Sequence, residues 1–261
     1  MGALRKETIM NLRLEPMKRM AVVLGILLAV LQMASGAFAQ EEPKKKWSDQ
    51  AEFTLVDTGG NTDVTTIAGK NTLKYDFTDK WIASWVIGGL YSKDHGIRTA
   101  ERYYSDLRLD YLYTDRLYFY GLAGWLKDTF AGIDNRYYGG PGAGYKFLTG
   151  PRHFLLGELG LNYAKEDYTD GTDEDFLQGR AFGQYAWAFT DKTRFSQDLE
   201  FLYDFSDSEN YGINSITALT TALNSFLSLK ASYTIRYDNE PVPDNLRKTD
   251  TILAIALVVN Y

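Results

Sequence analysis

The residues most able to do chemistry in this chain are its two histidines, His95 and His153. A histidine within hydrogen-bond reach of a serine and an acid is the arrangement of a nucleophilic hydrolase, and Ser92 lies three residues before His95. We expect His95 to lie in a long solvated loop and His153 beside a tight turn at the opposite end of the fold. The two histidines therefore cannot share one site, and a hydrolase is a weak alternative.

Two pairs of carboxylates have spacings that place both members on one face of a strand. They are Asp106 with Asp110, and Asp198 with Glu200. Such a pair can supply the acid and the base of a glycosidase or a protease. Arginines of the same strand parity favour ion pairing instead, so we predict no catalytic residues and no enzyme activity.

Two further motifs resemble ligand sites. The acidic segment DYTDGTDED, residues 167–175, offers oxygen ligands and a glycine turn that would suit Ca²⁺, but its spacing does not match an EF-hand loop. We expect a solvated loop there, and neither a metal nor a cofactor. GAGYKF, residues 142–147, is not followed by a helical pattern, so its glycines predict a strand pressed against a bulky neighbour.

The N-terminal segment predicts export. Lys18 and Arg19 precede the apolar run 20–33, and Ala37-Phe38-Ala39 forms an A-x-A cleavage site. We expect residues 1–39 to be a cleaved signal peptide and residues 40–261 to be the mature chain. Residues 1–39 hold five Lys/Arg and two Asp/Glu, so the mature chain keeps 23 basic and 32 acidic residues. A net charge of −9 without a basic cluster argues against nucleic acid as a partner.

The mature chain alternates apolar and mixed positions with a period of two. Odd positions from Trp81 to Tyr91 and from Leu155 to Tyr163 are mostly apolar, whereas even positions are mixed. Short turns such as FTDKW, YTDRLY and FTDKTRF recur every 34 to 41 residues. Longer loops fall between them, at residues 58–63, 92–100, 130–135, 165–175, 206–211 and 239–248. This pattern predicts an all-β, transmembrane, antiparallel up-and-down barrel of about 12 strands. Closure pairs every strand on both sides and leaves no edge.

Aromatic and charged positions predict the two surfaces of that barrel. Aromatic residues beside the short turns predict a girdle at the depth of the lipid head groups. Its members are Phe77, Trp81, Tyr113, Tyr118, Phe189 and Phe195. Charged residues on the even parity balance in sign, ten basic against ten acidic, and predict a narrow or mostly plugged lumen. We expect the lumen to be lined by Arg102, Asp106, Arg108, Asp110, Glu158, Arg180, Asp198, Glu200, Lys230 and Arg236.

Four segments carry a resemblance to a known family. They are GNTD at residues 60–63, GGPGAGY at 139–145, GELGLNY at 157–163 and YDNEPV at 237–242, followed by a closing strand that begins at Asp250. Over residues 47–261 the chain resembles the YdiY-like family of salt-induced outer-membrane proteins, a domain of unknown function. The resemblance implies placement in the outer membrane and expression under osmotic stress, and it brings no catalytic residues.

The resulting hypothesis is a non-enzymatic barrel in the bacterial outer membrane. It would be a narrow channel for small polar solutes or ions, or a structural protein of the stressed envelope. The alternatives are a surface binding or adhesion barrel and, less favoured, an outer-membrane hydrolase. We expect outer-membrane lipid and the barrel assembly machinery as partners, and Tyr261, which ends the closing strand, as the assembly signal.

Overall fold

The computed structural model describes residues 46–57, 64–243 and 245–261. The expected signal peptide, residues 1–39, and the predicted loop 58–63 lie outside these residues. These described ranges contain no helix that is long and apolar enough to cross a membrane.

Twelve antiparallel strands form a closed barrel in which each strand pairs with its neighbours in sequence and β1 pairs with β12. This confirms the predicted fold class and strand number. The strands are β1 (Trp47–Asp57), β2 (Val64–Asp76), β3 (Trp81–Asp94), β4 (Ile97–Leu112), β5 (Leu117–Asp128), β6 (Ile133–Thr149), β7 (His153–Tyr168), β8 (Asp173–Ala188), β9 (Thr193–Asp204), β10 (Tyr211–Ala222), β11 (Leu227–Asp238) and β12 (Thr249–Asn260).

The alternation of side chains gives the barrel an apolar outer surface and a polar interior. Leu159, on the outer face of β7, is 71% exposed, whereas the neighbouring Glu158 is 5% exposed. Successive side chains of a strand point to opposite faces, so the apolar parity faces outward along the whole strand. An apolar outer surface with a polar interior is the pattern of a barrel that crosses a membrane.

Four of the five short turns share one hydrogen-bonding device, which explains their similar sequences. The hydroxyl oxygen of Thr78 accepts hydrogen bonds from the backbone N–H groups of Lys80 and Trp81 at 3.2 and 3.1 Å. Thr114 and Thr190 repeat this geometry in their turns. In the turn 223–226 the side-chain oxygen of an asparagine does the same. These turns close strand pairs at the end of the barrel that holds the C-terminus, called here the turn end.

At the other end, the loop end, three of the described loops are shorter than predicted. The predicted loop 92–100 is a two-residue turn in which His95 (φ 49°) and Gly96 (φ 78°) adopt left-handed conformations. Positive φ at both central residues is the requirement of a tight hairpin turn. The connections at 129–132, 169–172 and 205–210 are short as well, and only 239–248 is long among the described loops. The strands extend further because the period-two pattern continues into residues that we had placed in loops.

Aromatic side chains form a belt on the outer surface at the turn end. Trp81 packs on Tyr111 with ring centroids 4.8 Å apart, and Trp187 packs on Phe189 at 4.2 Å. The exposed rings of Phe77 and Tyr113 and the partly exposed ring of Phe195 lie at the same end.

Tyr118 was wrongly placed in this belt. It is the second residue of β5, so it has the inward parity, and its hydroxyl donates to Glu158 at 2.6 Å inside the barrel.

The closure between β1 and β12 is much shorter than the other strand pairings. Only Gln50 to Phe53 lie opposite β12, facing Leu257 to Asn260, whereas β1 pairs with β2 along its whole length. The backbone of Tyr261 extends this closure by exchanging hydrogen bonds with Asp49. Among the described residues, 54–57 form no ladder with β12, so the predicted pairing of every strand on both sides is met only in part at this seam.

Candidate channel interior

Contacts between distant strands place the predicted lumen residues inside the barrel. Arg236 of β11 lies 3.9 Å from Asp128 of β5, across the interior, and Arg108 of β4 reaches Glu158 of β7. The remaining predicted lumen residues share the even parity of these four. The structure groups most of the ten into a central cluster around Glu158, a pair formed by Lys230 and Glu52 on the opposite wall, and a cluster at the loop end that contains Arg102 and Arg236.

Glu158 is the centre of the central cluster. Its carboxylate accepts hydrogen bonds from Arg108 at 2.7 and 3.1 Å, from Arg180 Nη1 at 2.8 Å and from Tyr118 at 2.6 Å. A buried carboxylate is stable only with such partners, because burial alone would strongly disfavour its charge. Each of the two guanidinium groups also binds a second carboxylate, since Arg180 binds Glu200 at 2.6 Å and Arg108 binds Asp110 at 2.8 Å. The central cluster therefore includes these two carboxylates.

The members of the two carboxylate pairs have separate partners. Asp198 accepts a hydrogen bond from Gln184 at 2.9 Å, while Glu200 binds Arg180. Asp106 accepts one from Tyr138, whereas Asp110 pairs with an arginine. Asp110 and Glu200 are thus ion-paired, as predicted for these carboxylates, whereas Asp106 and Asp198 are held by neutral hydrogen-bond donors.

Tyrosine rings pack directly against glycines of the neighbouring strand and fill one side of the interior. A Cβ atom on Gly144 would lie 2.2 Å from the ring of Tyr118, and one on Gly142 would lie 2.2 Å from the ring of Tyr120. Tyr138 covers Gly124 in the same way. The prediction that the glycines of GAGYKF serve close packing against bulky neighbours is confirmed. The wall formed by β5–β8 is thus thick and well packed.

The opposite wall, formed by β9–β12 and β1–β3, carries smaller and more exposed side chains. Glu52 binds Lys230 at 2.8 Å and lies 4.0 Å from Lys70, whose side chain is 38% exposed. Ala218, Ser228, Ala256 and Val258 of this wall are buried, whereas several other inward positions are small, polar and partly exposed. They include Thr54, Thr72, Ser84, Asn214, Thr220, Ser232 and Thr234.

At the loop end the charges form a second cluster, part of which the sequence analysis missed. Arg102 pairs with Asp128 at 2.6 Å, and Arg136 Nε lies 2.5 Å from Glu166 Oε1. Glu166 is 1% exposed and has the inward parity, but it falls in the region that we had predicted as a loop. Glu166 lies eight residues after Glu158 on the same strand, and this shared even parity is the sequence signal that identifies it as an inward residue.

The long connection between β11 and β12, described at residues 239–243 and 245–248, crosses the mouth at the loop end. It follows β11, yet the backbone carbonyl of Val242 packs against Gly132 in the β5–β6 turn, six strands away around the ring. A Cβ atom on Gly132 would lie 1.7 Å from that carbonyl oxygen. Asn239 anchors the base of the loop by donating to the backbone oxygen of Glu209 at 2.9 Å. We call residues 239–248 the cover loop.

The other candidate groups do not form a site. His95 contacts Asp94 at 2.5 Å, while Ser92 is hydrogen-bonded to Thr66 at 2.7 Å, so the suggested pairing of His95 with Ser92 is wrong. His153 bonds Tyr185 at 2.9 Å on the outer face.

The acidic segment 167–175 contains a tight turn. Hydrogen bonds from the side chain and backbone of Thr172 hold the pKa of Asp170 below its usual range. Among the described residues, no cluster of three His, Asp or Glu side chains is arranged to hold a metal ion.

Comparison with known proteins agrees with this architecture. The chain is similar to the uncharacterized protein YdiY of Escherichia coli strain K12, with 28% identity over 249 residues that cover 88% of this chain and 95% of that protein. An outer-membrane channel from Pseudomonas putida F1 superposes with a TM-score of 0.52 and 11% identity, over 85% of this chain and all of that one. The NanC porin gives a TM-score of 0.50 with 8% identity, over 82% and 97%. These two structures share the barrel fold. Residues 51–261 match the family described as "Protein of unknown function, DUF481", and the chain belongs to that family.

Proposed function

We propose that this protein is a non-enzymatic outer-membrane channel with a narrow lumen for small polar solutes or ions. The observation that carries the proposal is the unequal filling of the interior. Tyr118, Tyr120 and Glu158 are buried in the thick wall, whereas Thr72 and Lys70 on the opposite wall remain partly exposed. A polar strip that retains access to water offers a path for a hydrated solute.

The charges along this path favour small solutes without a strong preference for sign. Most inward charges have a partner of opposite sign within 4 Å, so they present a weak net field to a passing ion. The central cluster extends from β4 to β9 and limits the width of the passage. The cover loop limits access from the loop end.

Placement in the outer membrane rests on three features. The outer surface is apolar in the middle of the strands, an aromatic belt borders it, and a predicted signal peptide precedes the barrel. We propose outer-membrane lipid as the surrounding medium. The barrel assembly machinery would recognise the closing strand and Tyr261.

A surface-binding barrel fits the loops less well. Apart from the cover loop, the described connections at the loop end contain two to six residues and offer little area for a partner.

The cover loop gives an experiment with a matched control. Gly132 and Gly171 both have φ near +80° to +90°, but only Gly132 touches the cover loop. Gly132→Ala should displace the loop and raise the single-channel conductance or open probability in planar bilayers. Gly171→Ala introduces the same backbone strain in an open turn and should leave the current unchanged. Absence of current in the wild type and in both variants would refute the channel and favour a structural role.

A further inference from the structure

The ion pairs of the lumen leave several inward charges without a charged partner, and those at the turn end are mainly basic. Lys74 lies two residues before the end of β2, Lys146 lies three residues before the end of β6, and Arg194 is the second residue of β9. No ion pair among the described residues includes any of these three. Asp76, the last residue of β2, is an unpaired carboxylate at the same end. These groups therefore leave a surplus of two positive charges.

The surplus at the loop end has the opposite sign. Arg102 and Arg236 share Asp128, and a third guanidinium group, that of Arg136, pairs with Glu166. Four further carboxylates of inward parity begin or end strands here and belong to no ion pair among the described residues. They are Glu174, Asp204, Asp238 and Asp250. Six carboxylates thus accompany three guanidinium groups, which gives this end a net charge of −3.

The connections between the strands have the same polarity. The short turns 77–80, 113–116, 150–152, 189–192 and 223–226 contain four basic residues and three acidic ones. At the loop end, the connections 129–132, 169–172 and 205–210 contain three acidic residues and no basic one, and in the cover loop two acidic residues balance two basic ones. The mouths of the barrel therefore continue the charge difference of the lumen.

Charges outside the described residues do not offset this difference. Residues 40–45 contain two lysines and two glutamates, so their charges cancel. Residues 57–63 and 244 contain three aspartates and no basic residue. These aspartates belong to the end of β1 or to connections at the loop end, so their charge has the sign of the surplus there.

Fixed charges of one sign raise the local concentration of ions of the other sign. At 0.1 M salt they act over about 10 Å, which is on the scale of the interior of a small barrel. We propose that the lumen is polarised along its axis, so that it admits cations preferentially at the loop end and anions preferentially at the turn end. Glu174, Asp238 and Asp250 set the first preference, and Lys74, Lys146 and Arg194 set the second. This inference rests on the proposed channel and adds a specificity to each of its mouths.

A polarised lumen conducts unequally in the two directions. When the chamber at the loop end is positive, cations leave the acidic half and anions leave the basic half, and both fill the middle of the lumen. The opposite voltage draws both kinds of ion away from the middle and depletes it. We expect the current at 0.1 M salt to be about twofold larger when the loop-end chamber is positive. At 1 M salt, where screening shortens the range to about 3 Å, the two currents should be equal.

The experiment is single-channel recording in planar bilayers with the orientation of each barrel known. Ser208 is exposed in the connection between β9 and β10, and the chain has no cysteine, so Ser208→Cys can carry a single biotin. Streptavidin, added to one chamber after the recording, alters the current only when the loop end faces that chamber. Each variant below is measured in this background.

Glu174→Lys is the test variant at the loop end, and Asp175→Lys is its matched control. The two residues are neighbours and undergo the same change of charge, but Asp175 accepts a hydrogen bond from Tyr163 on the outer face. Glu174→Lys should bring the ratio of the two currents close to one, and Lys74→Glu should do so from the turn end. Asp175→Lys should leave the ratio unchanged.

Equal currents at both voltages in a conducting wild type would overturn the proposed polarity and leave the channel standing. A larger current with the loop-end chamber negative would overturn it as well, as would equal effects of Glu174→Lys and Asp175→Lys. The absence of any current would overturn the channel and this inference together.

Discussion

Neutralising Glu158 should destabilise the barrel, because its carboxylate is the shared acceptor of the side chains that form the central cluster. In Glu158→Gln the side chain keeps its shape, but Arg108 and Arg180 lose a shared anionic partner, and the hydrogen bond from Tyr118 loses its charged acceptor.

The size of the loss follows from burial and from the partners that remain. Removing one member of a buried ion pair costs about 3 to 5 kcal/mol. Arg108 keeps Asp110 and Arg180 keeps Glu200, so we expect the lower end, about 3 kcal/mol.

Glu52→Gln is the control, because it is the same substitution at a more exposed pair. The Glu52 side chain is 14% exposed and that of Lys230 is 19% exposed. We expect a smaller loss there, about 1 kcal/mol.

The assay is urea unfolding of both variants in liposomes, followed by tryptophan fluorescence. A double-mutant cycle between Glu158→Gln and Arg180→Gln should give a coupling energy of about 1 to 3 kcal/mol. If Glu158→Gln costs no more than Glu52→Gln, or if the cycle is additive, the central cluster does not form as described. In a conducting barrel, the same substitution should also shift the reversal potential towards anion selectivity.

Further predictions concern the two faces, the packing and the export of the chain. Leu159→Arg, at the exposed middle of β7, should lower the free energy of unfolding in lipid by about 2 to 4 kcal/mol in urea titrations; a loss no larger than that of Glu52→Gln would contradict the assignment of faces. Gly144→Ala should destabilise the barrel, because its Cβ meets a tyrosine ring, while Gly121→Ala, with open space at its Cβ, should not; equal unfolding midpoints would contradict this packing. Deleting Tyr261 should lower the amount of barrel in outer-membrane fractions, and unchanged amounts would count against its role in assembly. N-terminal sequencing of the membrane-inserted protein should begin at Gln40, and an intact Met1 would contradict signal cleavage.

Features set by local pattern could be predicted from the sequence. The alternation of apolar residues defines which face of each strand is outward, and the alternation of short turns with longer loops defines how many strands there are. The parity of Glu158 and Arg180 is therefore enough to predict their position in the interior. Tyr118 was misplaced because its aromatic type was weighed above its parity.

Features set by contacts between distant strands could not be predicted in the same way. The contact of Val242 with Gly132 joins segments about a hundred residues apart in the chain, and neither residue type indicates it. The early end of the β1–β12 ladder depends on how the last strand meets the first, and no local signal marks Phe53 or Leu257 as its limit. Glu166 was missed because the predicted boundary of β7 was placed too early.

The most direct test of the central claim is cysteine modification during single-channel recording. Thr72 faces the lumen on the more open wall, and its neighbour Leu73 faces outward. Because the chain has no cysteine, each variant carries a single reactive thiol. A water-soluble, positively charged methanethiosulfonate reagent should reduce the current of Thr72→Cys in discrete steps and leave Leu73→Cys unchanged. Equal responses of the two variants, or the absence of any current to modify, would contradict a water-filled passage along this wall.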